Sequence, residues 1–343
     1  MEKGLVSIII GVHNEKEEHL RMAFNSLFNQ SYQKIEIIVI DDDSDDNCKS
    51  VLSDICNGIK NITIIHNKSN LGLTKSLNIG LQMAKGEFIA RMDADDFSTS
   101  DRIEKQVDFL QTHPDIDIIG TGVISFGDRN LFMSPAFGLS KDDADIMLFF
   151  SSTLCHPSVM IRKCFLERHH LSYDENVKKA QDYDLWERSS IYGKLAVTKD
   201  VLLYYRIHAN QITSLKNKEQ IKAADIIRKR RLSRLGINPT EREYHYHELL
   251  SYGVDNSVTT FEMEEWVKKL LKGNKEMHLV NGNRLQHDLE TRLLLFKLRN
   301  KKRIKWTEIP LLATIVFSRL GIKVKLLTKI RIINALQHQT IIK

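Results

Sequence analysis

Cysteine and proline are scarce in this sequence, and each scarcity excludes a class of protein. Four cysteines occur among 343 residues and none forms a C-x-x-C pair, so zinc spacing is absent and unpaired thiols in a reducing compartment are expected. Five prolines, no low-complexity tract and no fixed-period repeat exclude a repeat array. The longest apolar runs, 5–10 and 311–317, fall well short of the roughly 20 residues of a membrane span. The sequence therefore predicts a globular chain without a spanning helix or secretion signal.

Charge is distributed unevenly along the chain. Residues 1–214 contain 23 Lys and Arg against 31 Asp and Glu, whereas residues 215–343 contain 27 against 13. This asymmetry favours two domains with different tasks. The acidic domain, 1–214, suits a bound cation. The basic region, 215–343, reads as helical from about residue 220 and suits contact with an anionic surface.

The acidic domain alternates between apolar β-branched runs and amphipathic segments. We predict strands at 5–11, 35–40, 62–65, 87–92, 116–126 and 201–206, and helices at 17–29, 45–58, 73–85, 101–112, 141–150, 162–169 and 182–192. This alternation predicts an α/β fold with a mostly parallel central sheet. Ligands of such sheets bind beyond the carboxyl ends of the strands, so the segments directly after the strands form the candidate site.

Two acidic clusters follow predicted strands. Asp93, Asp95 and Asp96 are so close in sequence that their charges repel, and a divalent cation such as Mn²⁺ or Mg²⁺ is an economical compensation. The alternative is a solvated acidic turn before the next helix. The second cluster, Asp41 to Ser44, suits a carboxylate that accepts hydrogen bonds from a nucleobase or ribose, or an acidic loop that caps a helix.

Three further segments carry polar groups suited to a nucleotide or an acceptor. Asn70, Gly72 and Lys75 open a helix whose N-terminus suits a phosphate, although a plain turn into a helix would look similar. Asp182 begins another helix and is either a general base or that helix's cap, and in the second case Leu185 and Trp186 are core residues. Polar side chains in otherwise apolar surroundings complete the set: His156, Arg206 and His208.

Together these segments resemble the family 2 glycosyltransferases, which have the GT-A nucleotide-sugar-binding fold. The resemblance covers about residues 5–214 and is carried by VSIIIGVHNE (6–15), IEIIVIDDDSDD (35–46), NLGLTKSLNIGLQMAKGEFIARMDADD (70–96) and QDYDLW (181–186). It implies an inverting, metal-dependent transfer from a UDP-sugar. Family members with ARMDADD and a downstream HPSVM commonly build bacterial surface polysaccharides, such as lipopolysaccharide, on lipid-diphosphate carriers or growing glycans.

The resemblance implies which residues bind the donor. Asp41 would accept a hydrogen bond from the uracil N3–H, and Asp93 would contact ribose or diphosphate. The loop after the first strand would flank the base and ribose through Val12, His13, Asn14 and Glu15. The remaining donor contacts would be Asn70, Gly72, Lys75, Arg91 and Arg206.

The resemblance also implies the catalytic groups. Asp95 would ligate Mn²⁺ or Mg²⁺. His208 is not part of the resemblance, but its place just after a predicted strand and beside Arg206 suits a ligand that completes the metal shell or a contact to phosphate. Asp182 would remove the proton of the acceptor hydroxyl while its oxygen attacks the anomeric carbon opposite the leaving diphosphate, so the configuration would invert. His156 and Trp186 would lie on the acceptor side.

Three positions depart from the family pattern: Gly11 stands where Pro is usual, His13 where Tyr is usual, and Asp43 where Gly is usual. His13 covers less of a base than Tyr would, and Asp43 adds charge nearby. One competing interpretation is a nucleotidyltransferase, which would carry a glycine-rich basic loop where this chain has GVHNEKEE. Another is a degenerate scaffold that binds sugar nucleotide. A Rossmann dehydrogenase fits less well, because GTGVIS only half-matches G-x-G-x-x-G.

The C-terminal region is strongly basic. Residues 297–331 contain 11 Lys and Arg and one acidic residue, Glu308, interleaved with apolar side chains that include Trp306. This pattern is typical of a solvated basic face on packed helices or of contact with an anionic membrane. The second interpretation predicts a cytoplasmic enzyme that is peripheral at the inner face of the plasma membrane. No nucleic-acid-binding module is present, so no such partner is predicted.

Overall fold

The computed structural model describes residues 1–127, 138–207, 218–302 and 308. The chain divides into two compact units, Met1–Arg228 and Lys229–Lys343. The predicted division between 214 and 215 stays a prediction, because residues 208–217 lie outside the described residues.

The first unit is built from alternating strands and helices. In chain order they are β1 Glu2–Val12, α1 Glu17–Phe28, β2 Ile35–Asp41, α2 Asp46–Cys56, β3 Ile62–His66, α3 Leu73–Met83, β4 Gly86–Arg91, β5 Phe97–Ser98, α4 Arg102–Thr112, β6 Ile118–Gly127, α5 Lys141–Met147, β7 Met160–Arg162, α6 Lys163–Arg168, α7 Gln181–Ser189 and β8 Leu195–Ile207. A single 3₁₀ turn, His156–Ser158, precedes β7. The helix α8, Lys218–Ser233, spans the division between the units.

The eight strands of the described residues belong to one sheet in the order β3-β2-β1-β4-β7-β6-β8-β5. The pairs β1–β2, β2–β3, β1–β4 and β6–β8 are parallel, while β7 runs antiparallel to both β4 and β6 and β5 antiparallel to β8. This confirms the predicted mostly parallel sheet. The short strands β5 and β7 were not predicted, because two or three residues are too few to show an alternating pattern.

Helices cover both faces of the sheet, which explains why its first strands are apolar throughout. Val6, Ile8 and Ile10 of β1 pack into a cluster with α1, α2 and α4, whereas Ile9 points to the opposite face, toward α3 and α7. On that face α3 lies close to the sheet, since a Cβ added at Gly80 would come within 2.5 Å of Ile9 Cγ2.

The second unit is helical where it is described, as the sequence predicts. Its helices are α9 Glu241–Ser251, α10 Thr260–Met277 and α11 Gly282–Arg299. Thr240 and Thr259 begin α9 and α10 with capping boxes to Glu243 and Glu262. No helix among the described residues is long and apolar enough to cross a membrane.

Candidate active site

The loops after β1, β2 and β3 lie side by side at one edge of the sheet. The strand register pairs Val12 with Asp41 and Asp41 with His66. Two backbone hydrogen bonds continue past the strands, from Asp42 N to Val12 O and from Asn67 N to Asp41 O, both 2.8 Å long. The structure therefore brings together the first three predicted donor-binding segments.

Asp41 is fully buried at the end of β2, and both of its carboxylate oxygens are engaged. Ser44 N donates to Oδ1 at 3.1 Å, and His66 Nδ1 lies 2.7 Å from Oδ2. Burial by itself would raise the pKa of Asp41, but the bonds from Ser44 and His66 outweigh it and hold the pKa below its usual value.

Asp42 organises the third loop, a role that the sequence analysis missed. Its Oδ1 accepts from Leu71 N and its Oδ2 from Gly72 N, each at 2.8 Å. Asn67 Nδ2 also donates to Oδ1, at 2.7 Å. Gly72 precedes α3 with φ 86° and ψ 157°, a conformation nearly restricted to glycine. The position of Asp42 inside the acidic run was the available signal, but spacing alone did not separate it from Asp41.

His13 and Asn14 link the first loop to the other two. His13 Nε2 lies 3.0 Å from Asn70 Nδ2 and therefore accepts from it, which leaves Nδ1–H to donate to Asp42 O at 2.8 Å. Asn14 N donates to Ser44 Oγ at 3.0 Å. Exposed polar groups of His13, Asn14 and Asn70 thus line one surface.

Two predicted donor contacts are engaged elsewhere. Glu15 Oε1 lies 2.7 Å from His19 Nδ1, one turn along α1. Lys75 Nζ lies 3.9 Å from Glu175 Oε2, and both side chains are half exposed. Glu15 therefore stabilises the start of α1, and Lys75 faces the segment that contains Glu175.

The acidic cluster after β4 is the one group in the described part of the chain whose side chains could hold a metal ion. One carboxylate oxygen from each of Asp93, Asp95 and Asp96 lies within 4.8 Å of the others. Asp96 is fully buried, and its Oδ1 accepts from Arg206 N at 2.7 Å while Oδ2 has no hydrogen-bond partner in the part of the chain that the structure describes. Burial, followed by the charges of Asp93 and Asp95, raises the pKa of Asp96 well above its usual value. Hard oxygen donors with one unsatisfied buried atom fit Mn²⁺ or Mg²⁺.

Three arginines partly balance this acidic cluster. Arg91 is 4% exposed and its Nη2 donates to Asp93, but its Nε and Nη1 have no hydrogen-bond partner among the described residues. The fully buried Arg102 donates to Arg91 O at 2.7 Å. Arg206 Nε donates to Asp95 O at 2.8 Å, and its guanidinium lies over the Phe126 ring. The predicted metal contact His208 lies outside the described residues.

Asp182 lies in the first turn of α7, within electrostatic reach of Arg91. Ser152 Oγ donates to Asp182 Oδ2 at 3.3 Å. Burial raises the pKa of Asp182, and the backbone N–H of Tyr183, the Arg91 charge and the Ser152 hydroxyl oppose that rise. A carboxylate with a raised pKa is suited to accept a proton near neutral pH.

His156 and Trp186 occupy different depths. His156 is 9% exposed, and its Nε2 lies 2.7 Å from the hydroxyl of Tyr173. Trp186 is fully buried and meets the His156 ring edge-on, with centroids 6.0 Å apart. Trp186 is therefore a core residue behind His156, and the predicted direct contact with an acceptor does not suit its position. Tyr173 was missed, because nothing in its local sequence indicates a role.

Comparison with known proteins identifies the family. Residues 7–170 match the model of glycosyl transferase family 2. An uncharacterised glycosyltransferase of Haemophilus influenzae is 35% identical over 251 residues, which cover 68% of this chain and 76% of the relative. The chain belongs to glycosyl transferase family 2. This membership confirms the predicted enzyme class over the nucleotidyltransferase and dehydrogenase interpretations.

A named relative and a solved structure extend the comparison for this family 2 glycosyltransferase. The Escherichia coli UDP-Glc:alpha-D-GlcNAc-diphosphoundecaprenol beta-1,3-glucosyltransferase WfaP is 29% identical, and the alignment covers 65% of this chain and 86% of WfaP. The crystal structure of S. aureus TarS 1–349 in complex with UDP-GlcNAc matches with a TM-score of 0.58 at 18% identity, covering 86% and 88% of the two chains. The structural match confirms the predicted GT-A fold.

Proposed function

We propose that this glycosyltransferase moves a hexose or N-acetylhexosamine from a UDP-sugar to a hydroxyl of a glycan or lipid-diphosphate-linked acceptor during surface-polysaccharide synthesis. One observation carries the proposal: the acidic cluster and Asp182 both lie close enough to Arg91 for its positive charge to act on Asp93 and on Asp182. The names of WfaP and of the TarS complex support a UDP-sugar donor, and that of WfaP a lipid-diphosphate acceptor.

Asp95 would hold Mn²⁺ or Mg²⁺, together with Asp93 and Asp96. When bound, the ion supplies positive charge to the diphosphate leaving group. Arg91 keeps Asp93 in place by direct hydrogen bonding, and Arg206 fixes the Asp95 carbonyl and the Asp96 carboxylate. These bonds hold the carboxylates of Asp93 and Asp96 and the backbone of Asp95 in place before any ligand arrives.

The loops after β1 to β3 would bind the nucleoside. The side chains of His13 and Asn70 are exposed and hydrogen-bonded to each other. The buried carboxylates of Asp41 and Asp42 hold the loops by hydrogen bonds to their backbone N–H groups. Asp182 would accept the acceptor's hydroxyl proton as the oxygen attacks the anomeric carbon. Because the attack comes from the face opposite the diphosphate, an α-linked donor would give a β-linked product.

Thermal shift with a panel of nucleotide sugars, each with and without Mn²⁺, tests the donor class. UDP-sugars should raise the melting temperature in the presence of Mn²⁺ more than GDP- or CMP-sugars do, because base and diphosphate would both be recognised. Release of UDP by the purified chain then tests turnover. An unchanged melting temperature and no UDP release with every UDP-sugar would rule the proposal out.

We also propose that the basic C-terminal region contacts an anionic membrane that carries the acceptor. The support is compositional: residues 303–343 contain eight Lys and Arg and a single acid, Glu308. All but Glu308 of this segment lies outside the described residues. The cytoplasmic, peripheral location stays a prediction.

A further inference from the structure

Residues 171–177 form a segment that is tied to the helix following the donor loops. The side-chain amide of Asn78, in α3, pairs with the backbone of Tyr173 in both directions. Asn78 Nδ2 donates to Tyr173 O at 2.9 Å, and Tyr173 N donates to Asn78 Oδ1 at 3.1 Å. A two-point amide contact of this kind fixes both the position and the orientation of the Tyr173 backbone.

The same segment is also tied to α7, the helix that begins at Asp182. Arg188 Nη2 donates to Ser172 O at 2.6 Å, while Arg188 Nε donates to Asp184 Oδ2 at 2.8 Å. The segment therefore connects the donor-side helix α3 with α7. Its geometry depends on both.

Tyr173 points inward from this segment, and only 4% of it is exposed. Its hydroxyl bonds to His156 Nε2 at 2.7 Å. Burial raises the pKa of Tyr173, the charges of Asp182 and Asp93 raise it further, and Arg91 opposes them. The hydroxyl thus lies near both the acidic cluster and the candidate base.

One polar atom of His156 has no partner within the described part of the chain. Burial, and then the charge of Arg91, lowers the pKa of His156 well below its usual value, so the ring is neutral. With Nε2 bonded to Tyr173, Nδ1 is the remaining polar atom, and it has no hydrogen-bond partner among the described residues. A ring that is nine-tenths buried, with its orientation fixed at one nitrogen, can offer the other to a ligand.

We propose that His156 offers Nδ1 to a hydroxyl of the acceptor sugar, and that Tyr173 and Asn78 are positioning residues for its ring. This inference rests on the proposed function and names a specificity-determining contact within it. The acceptor side is favoured because His156 shares a short segment with Ser152, the hydroxyl that binds Asp182. The donor loops instead follow β1, β2 and β3, in the other half of the sheet.

Two substitutions of His156 separate its two nitrogens. The amide of Gln reaches the position of Nε2, so His156→Gln can keep the bond to Tyr173 but offers nothing at Nδ1. The amide of Asn lies near the position of Nδ1, so His156→Asn can keep the ligand contact. We expect the acceptor KM to rise roughly three- to twelvefold in His156→Gln and by a smaller factor in His156→Asn, because one hydrogen bond is worth about a factor of 3 to 12.

Tyr173→Phe tests the positioning role, since it keeps the ring and removes only the hydroxyl. We expect a rise in acceptor KM of roughly three- to tenfold, with donor Kd, measured by titration with UDP-sugar, unchanged within about twofold. Tyr192→Phe is the matched control. Tyr192 also contacts a histidine, in this case by stacking on His169, but it is 55% exposed and precedes β8, at the opposite end of that strand from Arg206.

Three outcomes are distinguishable when transfer to acceptor and donor hydrolysis are both measured. A selective rise in acceptor KM in His156→Gln and Tyr173→Phe, with hydrolysis retained, supports the inference. Wild-type acceptor KM in both variants, or equal losses in donor and acceptor parameters, overturns it while the proposed function stands. A wild-type chain that neither hydrolyses nor transfers from any UDP-sugar overturns both.

Discussion

At the scale of single residues, the candidate base is poised by opposing influences. Burial favours the protonated form of Asp182, whereas Arg91, Ser152 and the backbone N–H of Tyr183 favour the ionised form. The result is a raised pKa on a carboxylate that is still held in place by a hydroxyl. The sequence predicts Asp182 as the base, which stays a prediction, and its interactions with Ser152 and Arg91 arise only through the fold.

Replacing Asp182 by Asn removes the proton acceptor with little change of shape. We expect kcat for transfer to fall about 100- to 10,000-fold, the usual contribution of general base catalysis, while UDP-sugar still raises the melting temperature. The rate is measured as UDP release with acceptor present. Asp184→Asn is unsuitable as a control, because it would break the ion pair between Asp184 and Arg188. Asp54→Asn serves instead, because the Asp54 side chain is exposed. An active Asp182→Asn variant would show that another group is the base.

The pH dependence of transfer should report the same carboxylate. A general base works only when it is ionised. The value of kcat/KM should therefore reach its maximum above the raised pKa of Asp182 and should fall as the pH drops through that pKa. Ser152→Ala removes one of the interactions that lower this pKa. The acid limb of the profile should therefore move to higher pH in Ser152→Ala. A limb that stays in place would separate Ser152 from the ionisation of the base.

The acidic cluster makes a prediction about metal. At a Mn²⁺ concentration of about 100 Kd, binding should add about 2.7 kcal/mol to the free energy of unfolding of the wild type. Asp95→Asn should lose this gain, and a chelator should abolish wild-type transfer until Mn²⁺ is restored. Asp115→Asn is the control, because Asp115 is exposed and paired with Lys141. Equal Mn²⁺ responses in Asp95→Asn and wild type would place the metal elsewhere.

At the scale of elements, the loop between β3 and α3 depends on a single glycine. Asp42 accepts the backbone N–H groups of Leu71 and Gly72, and Gly72 holds φ 86° so that α3 can begin there. The sequence predicted a glycine turn before a helix. It did not predict that a carboxylate directly after the neighbouring strand β2 would hold the turn, since that contact requires β2 and β3 to be adjacent.

Gly72→Ala should therefore affect both stability and donor binding. The unfavourable φ should cost about 1–3 kcal/mol in the free energy of unfolding, measured with urea, and donor Kd should rise as the loop shifts. Gly58→Ala is a matched control, because Gly58 has φ 78° and, like Gly72, open space for a Cβ. Gly58→Ala should lower the free energy of unfolding but leave the donor Kd unchanged. Equal donor Kd in both variants would remove the Asn70–Gly72 loop from the donor site.

Predictability from sequence differed between elements for physical reasons. The first four strands were placed within a few residues because buried parallel strands are continuously apolar. The strand β8 begins at Leu195, whereas the prediction began at 201, since the exposed Lys199 and Asp200 interrupt the apolar pattern. The register of β8 against β6 also shifts within this stretch. Such an irregularity arises from pairing and leaves no local signature.

At the scale of the whole molecule, the second unit contains an ion pair between the buried Lys297 and Glu308, which lies within the basic stretch 297–331. Lys297 of α11 is 1% exposed, and its Nζ donates to Glu308 at 2.6 Å and to Glu264 at 3.3 Å. Glu308 is the single acid of the stretch 297–331. A truncation within α11, or one that removes Glu308, would therefore disturb the unit as well as its charge.

Membrane contact is better tested with charge reversals that leave Glu308 in place. We expect the full chain to pellet with liposomes that contain anionic lipid, and a variant with Lys323→Glu, Lys325→Glu and Lys329→Glu to stay in the supernatant. Each lysine near an anionic surface contributes about 1 kcal/mol, so the difference should be large and should fade with salt. Liposomes of neutral lipid are the control. Equal pelleting of both chains would refute the membrane proposal.

The sequence by itself determined the alternation of strands and helices, the acidic runs at strand ends and the difference in charge between residues 1–214 and 215–343. These properties are local, because consecutive residues determine them. A strand buried on both faces is apolar throughout, turns depend on particular residue types, and charge depends on composition. Only the tertiary structure decided that Asp42 holds a distant loop, that Trp186 is core, and that Tyr173 meets His156. Such contacts join residues far apart in the chain, and their geometry follows from the order of strands and the packing of helices on the sheet.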